Sequence, residues 1–123
     1  MAGASTAAAG AMASCSLGLT PTSFRPDPIK IGLVGCGGRG NGAAMQCMIA
    51  NENVELVAMA DLFPDKLEIA RQALDRVDSY NVEDEQCFTG FDAYKKLLET
   101  DIDVVLLATP PVFRPMMFEA AVK

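Results

Sequence analysis

The residues with the clearest chemical potential are glycines. Residues 29–34 (IKIGLV) run directly into Gly35-Cys36-Gly37-Gly38-Arg39-Gly40, in which Gly35, Gly37 and Gly40 fit the pattern G-x-G-x-x-G. Each position has a physical reason. Gly35 allows a tight turn, Gly37 lets the backbone approach a pyrophosphate with no Cβ in the way, and Gly40 lets the following helix pack closely on the strand. That helix aims unpaired N–H groups and the positive end of its dipole at the phosphates. Asp61 ends a second apolar run 21 residues beyond Gly40, close to the roughly 20 residues at which an acidic group reaches a ribose 2′-hydroxyl. A carboxylate there accepts hydrogen bonds from ribose hydroxyls and repels a 2′-phosphate, which favours NAD over NADP. Leu62 and Phe63, not Arg or Lys, follow Asp61. The alternatives are a glycine turn that merely joins strand to helix and an Asp that merely ends a strand. The combination of strand, loop, helix and correctly spaced acid argues against both.

Other chemistries find little support. The chain contains no His, which removes the commonest general acid–base residue and the commonest metal ligand. The four cysteines, Cys15, Cys36, Cys47 and Cys87, include no C-x-x-C pair. They read as free thiols packed as small apolar groups, not as a zinc or redox motif. No metal site and no catalytic residue is assigned. The formal net charge of -6 argues against a nucleic-acid partner, which needs clustered Lys and Arg.

The elements that must position the loop follow by periodicity. With 123 residues, half of them hydrophobic, the chain has room for one small globular domain. Strands are predicted at 29–34, 54–60 (VELVAMA), 87–89 and 104–108 (VVLLA). Helices are predicted at 41–50, 64–74, 92–100 and from 115 onward, and 75–86 reads as a polar loop. The predicted inward faces are Ala44, Met45, Met48 and Ile49 on the first helix, Leu67, Ala70 and Leu74 on the second, and Tyr94, Leu97 and Leu98 on the third. Pro64 and Asp65 suit a helix start. Alternating strands and helices imply right-handed crossovers and a parallel sheet with helices on both faces. The predicted class is α/β, a partial Rossmann-type sheet of strand order 3-2-1-4. The ligand crevice lies where the order switches, between the first and fourth strands.

Residues 1–26 stand apart, rich in Ala, Gly, Ser and Thr, with no charge before Arg25. They read as a disordered tail or the remnant of an export signal. The Ala run, Ala11-Met12-Ala13 and a faint lipoprotein-like Met12-Ala13-Ser14-Cys15 suggest the signal, while its basic start is absent. The segment is too weakly apolar to span a membrane. Location is therefore either cytoplasmic or exported to a periplasm, and 27–123 is the nucleotide-binding domain.

The segments IKIGLVGCGGRGNGAA, VELVAMADLFPDKLEIA, GFDAYKKLLE and DIDVVLLATPP, taken in order and spacing, resemble the Gfo/Idh/MocA oxidoreductases from Ile29 to Lys123. The resemblance implies a Rossmann domain followed by a larger α/β domain. It also implies hydride transfer between a nicotinamide and a hydroxyl carbon of a sugar, inositol or related polyol. It assigns the pyrophosphate to the loop 35–40 (Gly35, Cys36, Gly37, Gly38, Arg39, Gly40), the adenosine ribose to Asp61, and the nicotinamide side to Thr109 and Pro110. Arg39 faces the phosphates in that arrangement but suits a solvated or structural arginine better than a specific ligand. Many members carry His where Arg114 stands. The family's Glu-Lys-Pro segment would fall just past Lys123, and its lysine, with the Asp and His of the second domain, supplies proton transfer. The expectation is therefore a domain incomplete at its C-terminus, with the substrate domain absent and no turnover alone, and with homo-oligomerisation open. A non-catalytic nucleotide sensor and a fragment of an NAD-dependent glycosidase of the same architecture are the alternatives.

Overall fold

A computed structural model describes residues 26–123 of the chain. The expectations for residues 1–25 lie outside the described residues. Four strands, β1 (Ile29–Val34), β2 (Val54–Asp61), β3 (Cys87–Thr89) and β4 (Val104–Leu107), alternate with helices α1 (Gly38–Ala50), α2 (Pro64–Leu74), α3 (Ala93–Leu98) and α4 (Arg114–Val122). The sheet is parallel throughout, in the order β3-β2-β1-β4. This is the α/β Rossmann-type arrangement expected from the sequence. Among the described residues no helix is long and apolar enough to cross a membrane.

Two apolar clusters cover the two faces. On one, Ile31, Leu33, Leu56 and Met59 pack with Ala44 and Met48 of α1 and Leu67, Ala70 and Leu74 of α2. On the other, Val34, Ala58 and Ala60 pack with Ala93, Tyr94 and Leu97 of α3, and α4 adds Met117 and Ala120. Strand side chains alternate faces with a period of two, yet Leu56 and Met59, three apart, share a face. The β1–β2 register explains this: Ile31 pairs with Leu56 but Gly32 with Ala58, so Val57 is an extra residue at an irregularity that resets the alternation. The second face is lined by small residues, and a Cβ on Gly32 would lie 2.8 Å from Leu97 Cδ2. Small strand residues thus let α3 sit close.

Differences from expectation have local causes. Helix α1 begins at Gly38 rather than 41, because Asn41 N–H already donates to Gly37 O at 2.9 Å. Half of the glycine loop is therefore the first turn of the helix. Ile49, expected inside, is 69% exposed; the i, i+4 series Gly40, Ala44, Met48 sets the buried face and Ile49 lies off it. Helix α3 stops at Leu98, where the Thr100 hydroxyl donates to Leu97 O at 2.6 Å and competes with further helix. The segment 75–86 is not a free loop. Leu56 N–H donates to Ser79 O, Asn81 N–H donates to Leu56 O, a short 3-10 turn spans Asp84–Gln86, and Val82 is buried. Strand β4 is less covered than its apolar sequence predicts, with Val104 44% exposed.

Candidate functional site

The carboxyl ends of all four strands open onto one cleft of about 1020 Å³. Its floor is the turn after β1. Gly35 holds φ at +95°, a conformation that costs most residues energy but not glycine. Its N–H donates to Ala60 O at 2.9 Å, and a Cβ on it would lie 2.8 Å from the Ala108 carbonyl carbon. Helix α1 then rises so close to β1 that a Cβ on Gly40 would collide with the carbonyl oxygen of Gly35. Gly37 and Gly38 are different: nothing lies within 4 Å of the Cβ either would carry. Two glycines therefore serve packing, and two leave a bare backbone surface facing the cleft at the start of a 13-residue helix that has no side-chain cap. Such a helix start offers unpaired N–H donors to an anion.

Asp61, at the end of β2, is locked to this loop. Its Oδ2 accepts from Cys36 N–H at 2.6 Å and its Oδ1 from Phe63 N–H at 2.9 Å. A carboxylate has about four lone-pair positions, so two remain for further hydrogen-bond donors. Cys36 itself is turned inward. Its thiol is buried and donates to Ala60 O at 3.5 Å, so only its backbone belongs to the loop surface. Burial, and then the negative charge of Asp61, push the thiol pKa up to about 12.

At the opposite end, Thr109 and Pro110 follow β4 and line the cleft. Thr109 hydroxyl donates to Met117 Sδ at 3.3 Å, and Arg114 Nε–H donates to Thr109 O at 2.9 Å, bracing the turn. The structure thus brings Gly35, Gly37, Gly38, Arg39, Gly40, Asp61, Thr109 and Pro110 to one cleft, with Cys36 beneath it. The lining also holds Lys66, Lys95 and Arg114, so with Arg39 four basic side chains face two acidic ones, Asp61 and Asp92. In a chain of net charge -6, this local excess of positive charge suits an anionic ligand.

Comparison with protein families found no match, and comparison with curated proteins found none. Solved structures do match. A scyllo-inositol dehydrogenase from Lactobacillus casei with bound NAD(H) and scyllo-inositol is 25% identical with a TM-score of 0.61, over 78% of this chain and 25% of that one. A 3-ketoreductase from Actinomadura kijaniata, in complex with TDP-benzene and NADP, is 25% identical with a TM-score of 0.56, over 78% and 27%. The WlbA dehydrogenase from Chromobacterium violaceum, with NADH and UDP-GlcNAcA, is 25% identical with a TM-score of 0.53, over 76% and 24%. The chain matches the N-terminal Rossmann domain of Gfo/Idh/MocA-type NAD(P) oxidoreductases. It spans about a quarter of the length of those structures.

Sequence reasoning overlooked several residues that line the cleft. Lys66, one turn into α2 beyond Asp61, had a signal in its spacing, since the first turn after an acidic β2 end faces the same crevice. Phe63, Phe91, Phe113 and Met117 had none, because an apolar residue in a loop reads equally well as core.

Proposed function

We propose that this cleft binds a nicotinamide dinucleotide, NAD in preference to NADP, and that the domain is the cofactor-binding part of an oxidoreductase acting on a sugar, inositol or related polyol. The observation that carries the reading is the bond from Cys36 N–H to Asp61 Oδ2 at 2.6 Å. It fixes the ribose-reading carboxylate against the phosphate-reading loop, so the two recognition elements are held as one unit before ligand arrives. The bare backbone at Gly37 and Gly38 fits a pyrophosphate that a Cβ would exclude. Arg39 lies beside it with a compensating charge. Thr109 and Pro110 would bound the nicotinamide end. When bound, the nicotinamide supplies hydride acceptance or donation, and these residues orient it.

The sugar, inositol or polyol class rests on the scyllo-inositol dehydrogenase and the sugar-nucleotide enzyme among the matched structures. Hydride transfer also needs a held substrate carbon and a group that moves the hydroxyl proton. With no His in the sequence, this chain alone is expected to show no appreciable turnover on polyols.

Titration calorimetry with NAD(H) and NADP(H) tests the proposal. NAD(H) should bind more tightly, and Asp61→Ala should narrow the difference. Tighter binding of NADP(H) by the unaltered chain would sink the role given to Asp61. Reduction of NAD by a pure sample with any polyol would refute the expected inactivity.

A further inference from the structure

Four cations line the cleft, and one of them is left without an anion. Lys95 pairs with Asp92 at 3.4 Å. Arg39, Lys66 and Arg114 enter no ion pair among the described residues. Arg39 belongs to the glycine loop, and Lys66 follows Asp61 in the first turn of α2. Arg114 stands apart from both, beyond β4, on the other side of β1 in the sheet. A dinucleotide with its pyrophosphate on the loop keeps both phosphates there, so no cofactor charge answers Arg114. The Arg114 side chain does brace the turn after β4, because Nε–H donates to Thr109 O at 2.9 Å. That bond uses one of the five N–H donors of a guanidinium, and the side chain makes no other bond among the described residues. A glutamine could brace the turn without any charge. The charge is also badly placed for stability. Arg114 opens α4, whose first turn holds no acidic residue, and a cation at a helix start opposes the helix dipole. Around it the cleft wall is apolar, formed by Pro110, Phe113, Met116 and Met117, so a charge contact there is stronger than in open water.

We infer that Arg114 binds a carboxylate or phosphate group on the substrate, so that the polyol of the proposed reaction is an acidic sugar. This rests on the dinucleotide reading proposed above and deepens it by naming the charge of the substrate and the residue that reads it. With Thr109 and Pro110 bounding the nicotinamide, Arg114 is its neighbour. The oxidised ring is itself a cation, and two cations side by side repel. An anionic substituent on the substrate answers both charges at once. The free edge of the guanidinium matches two oxygens of such a group in a parallel pair of hydrogen bonds.

The test takes the whole chain saturated with NAD and titrates it with glucuronate, glucose 6-phosphate and glucose, followed by ligand-detected NMR. At least one of the two acids should bind about 10-fold more tightly than glucose, the worth of one charge-assisted hydrogen bond. The tighter acid names the anion as carboxylate or phosphate. Arg114→Met should bring both acids down to the level of glucose. Arg114→Lys, which keeps the charge without the fork, should keep part of the preference. If Arg114→Met melts well below the unaltered chain, Arg114→Gln, which can still donate to Thr109 O, replaces it with the same expected loss. NAD affinity, measured by calorimetry, should be unchanged in all three variants. A loss of NAD affinity in Arg114→Gln as large as the loss of acid binding would give the guanidinium to the cofactor and overturn the inference. Acids bound no better than glucose by the unaltered NAD-loaded chain, or no binding of any of the three, would overturn it too and leave the dinucleotide reading standing. If the unaltered chain binds neither NAD nor NADP, the dinucleotide reading falls, and this inference with it.

Discussion

Asp61 and Cys36 occupy one small volume in which hydrogen bonds tie the glycine loop to the end of β2. Asp61 satisfies two backbone N–H groups, one of them part-buried in the glycine loop. Leaving such a donor unpaired costs about 1–3 kcal/mol. Asp61→Ala should therefore lower stability by roughly that amount even without cofactor, while Asp61→Asn, which keeps one acceptor oxygen, should lose less. Urea unfolding of the apo chain checks this, and equal stability of all three would mean the two bonds contribute nothing. Cys36 supplies a pH test. Its folded pKa is raised to about 12, whereas an unfolded thiol titrates near 8.5. Between these values the folded state keeps a proton that the unfolded state has lost, so its contribution is full below about pH 8.5 and declines as pH rises toward 12. Cys36→Ala should flatten the fall in stability with pH over this window, by up to about 1.4 kcal/mol per pH unit. Parallel pH profiles for the two proteins would contradict the assignment.

At the scale of elements, the sequence revealed more of the arrangement than of its phase. Strands β1 and β3 and helix α2 sit where periodicity put them, because each is bounded by residues with sharp local preferences: the glycine loop, Pro64, and the turn at Gly90. The face of α1 was harder to read. Ala44 and Met48 were legible as core, but whether Met45 or Ile49 shared their side depends on the rotation of the helix, which Gly40 fixes through its tertiary approach to Gly35. The irregularity at Val57 and the docking of 75–86 on Leu56 were illegible for the same reason, since both are products of pairing between distant segments. In the cleft, the glycines and Asp61 were legible because their types and spacing form a recognisable pattern, whereas Phe63 and Phe91 join the lining only through the fold. The glycines also make separable predictions. Gly37→Ala places a methyl in open space, so stability should change by no more than about 0.5 kcal/mol while NAD affinity falls. Gly40→Ala drives a Cβ into the Gly35 carbonyl, so α1 must leave β1, and stability should fall by about 1–3 kcal/mol or more. Melting and titration of the pair decide; a Gly37→Ala variant that binds NAD normally would remove the bare backbone from the recognition scheme.

For the whole molecule, the balance of burial is uneven across the sheet. The β1–β2 centre is closed by α1, α2 and α3, with Leu33, Leu56, Met59 and Leu97 fully buried. The β4 side is open by comparison. Strand β4 is an edge in the order β3-β2-β1-β4, it carries the sequence VVLL without a charge, and α4 has no buried residue. Met116 (50%), Phe118 (61%) and Val122 (65%) are exposed on α4, and Val104 (44%) on the strand. An uncharged apolar edge with unpaired N–H and C=O groups is a template for pairing with another chain, and natural edges are commonly blunted by lysine. The chain should therefore self-associate as its concentration rises, and Val104→Lys should shift it toward monomer without loss of NAD binding, because Val104 lies at the amino end of β4, far from the cleft at the carboxyl end. Light scattering coupled to size exclusion over a hundredfold concentration range measures this. A monomer at every concentration would show the edge to be protected, and self-association unchanged by Val104→Lys would move the contact from the strand to the apolar face of α4, where Phe118→Glu should then abolish it.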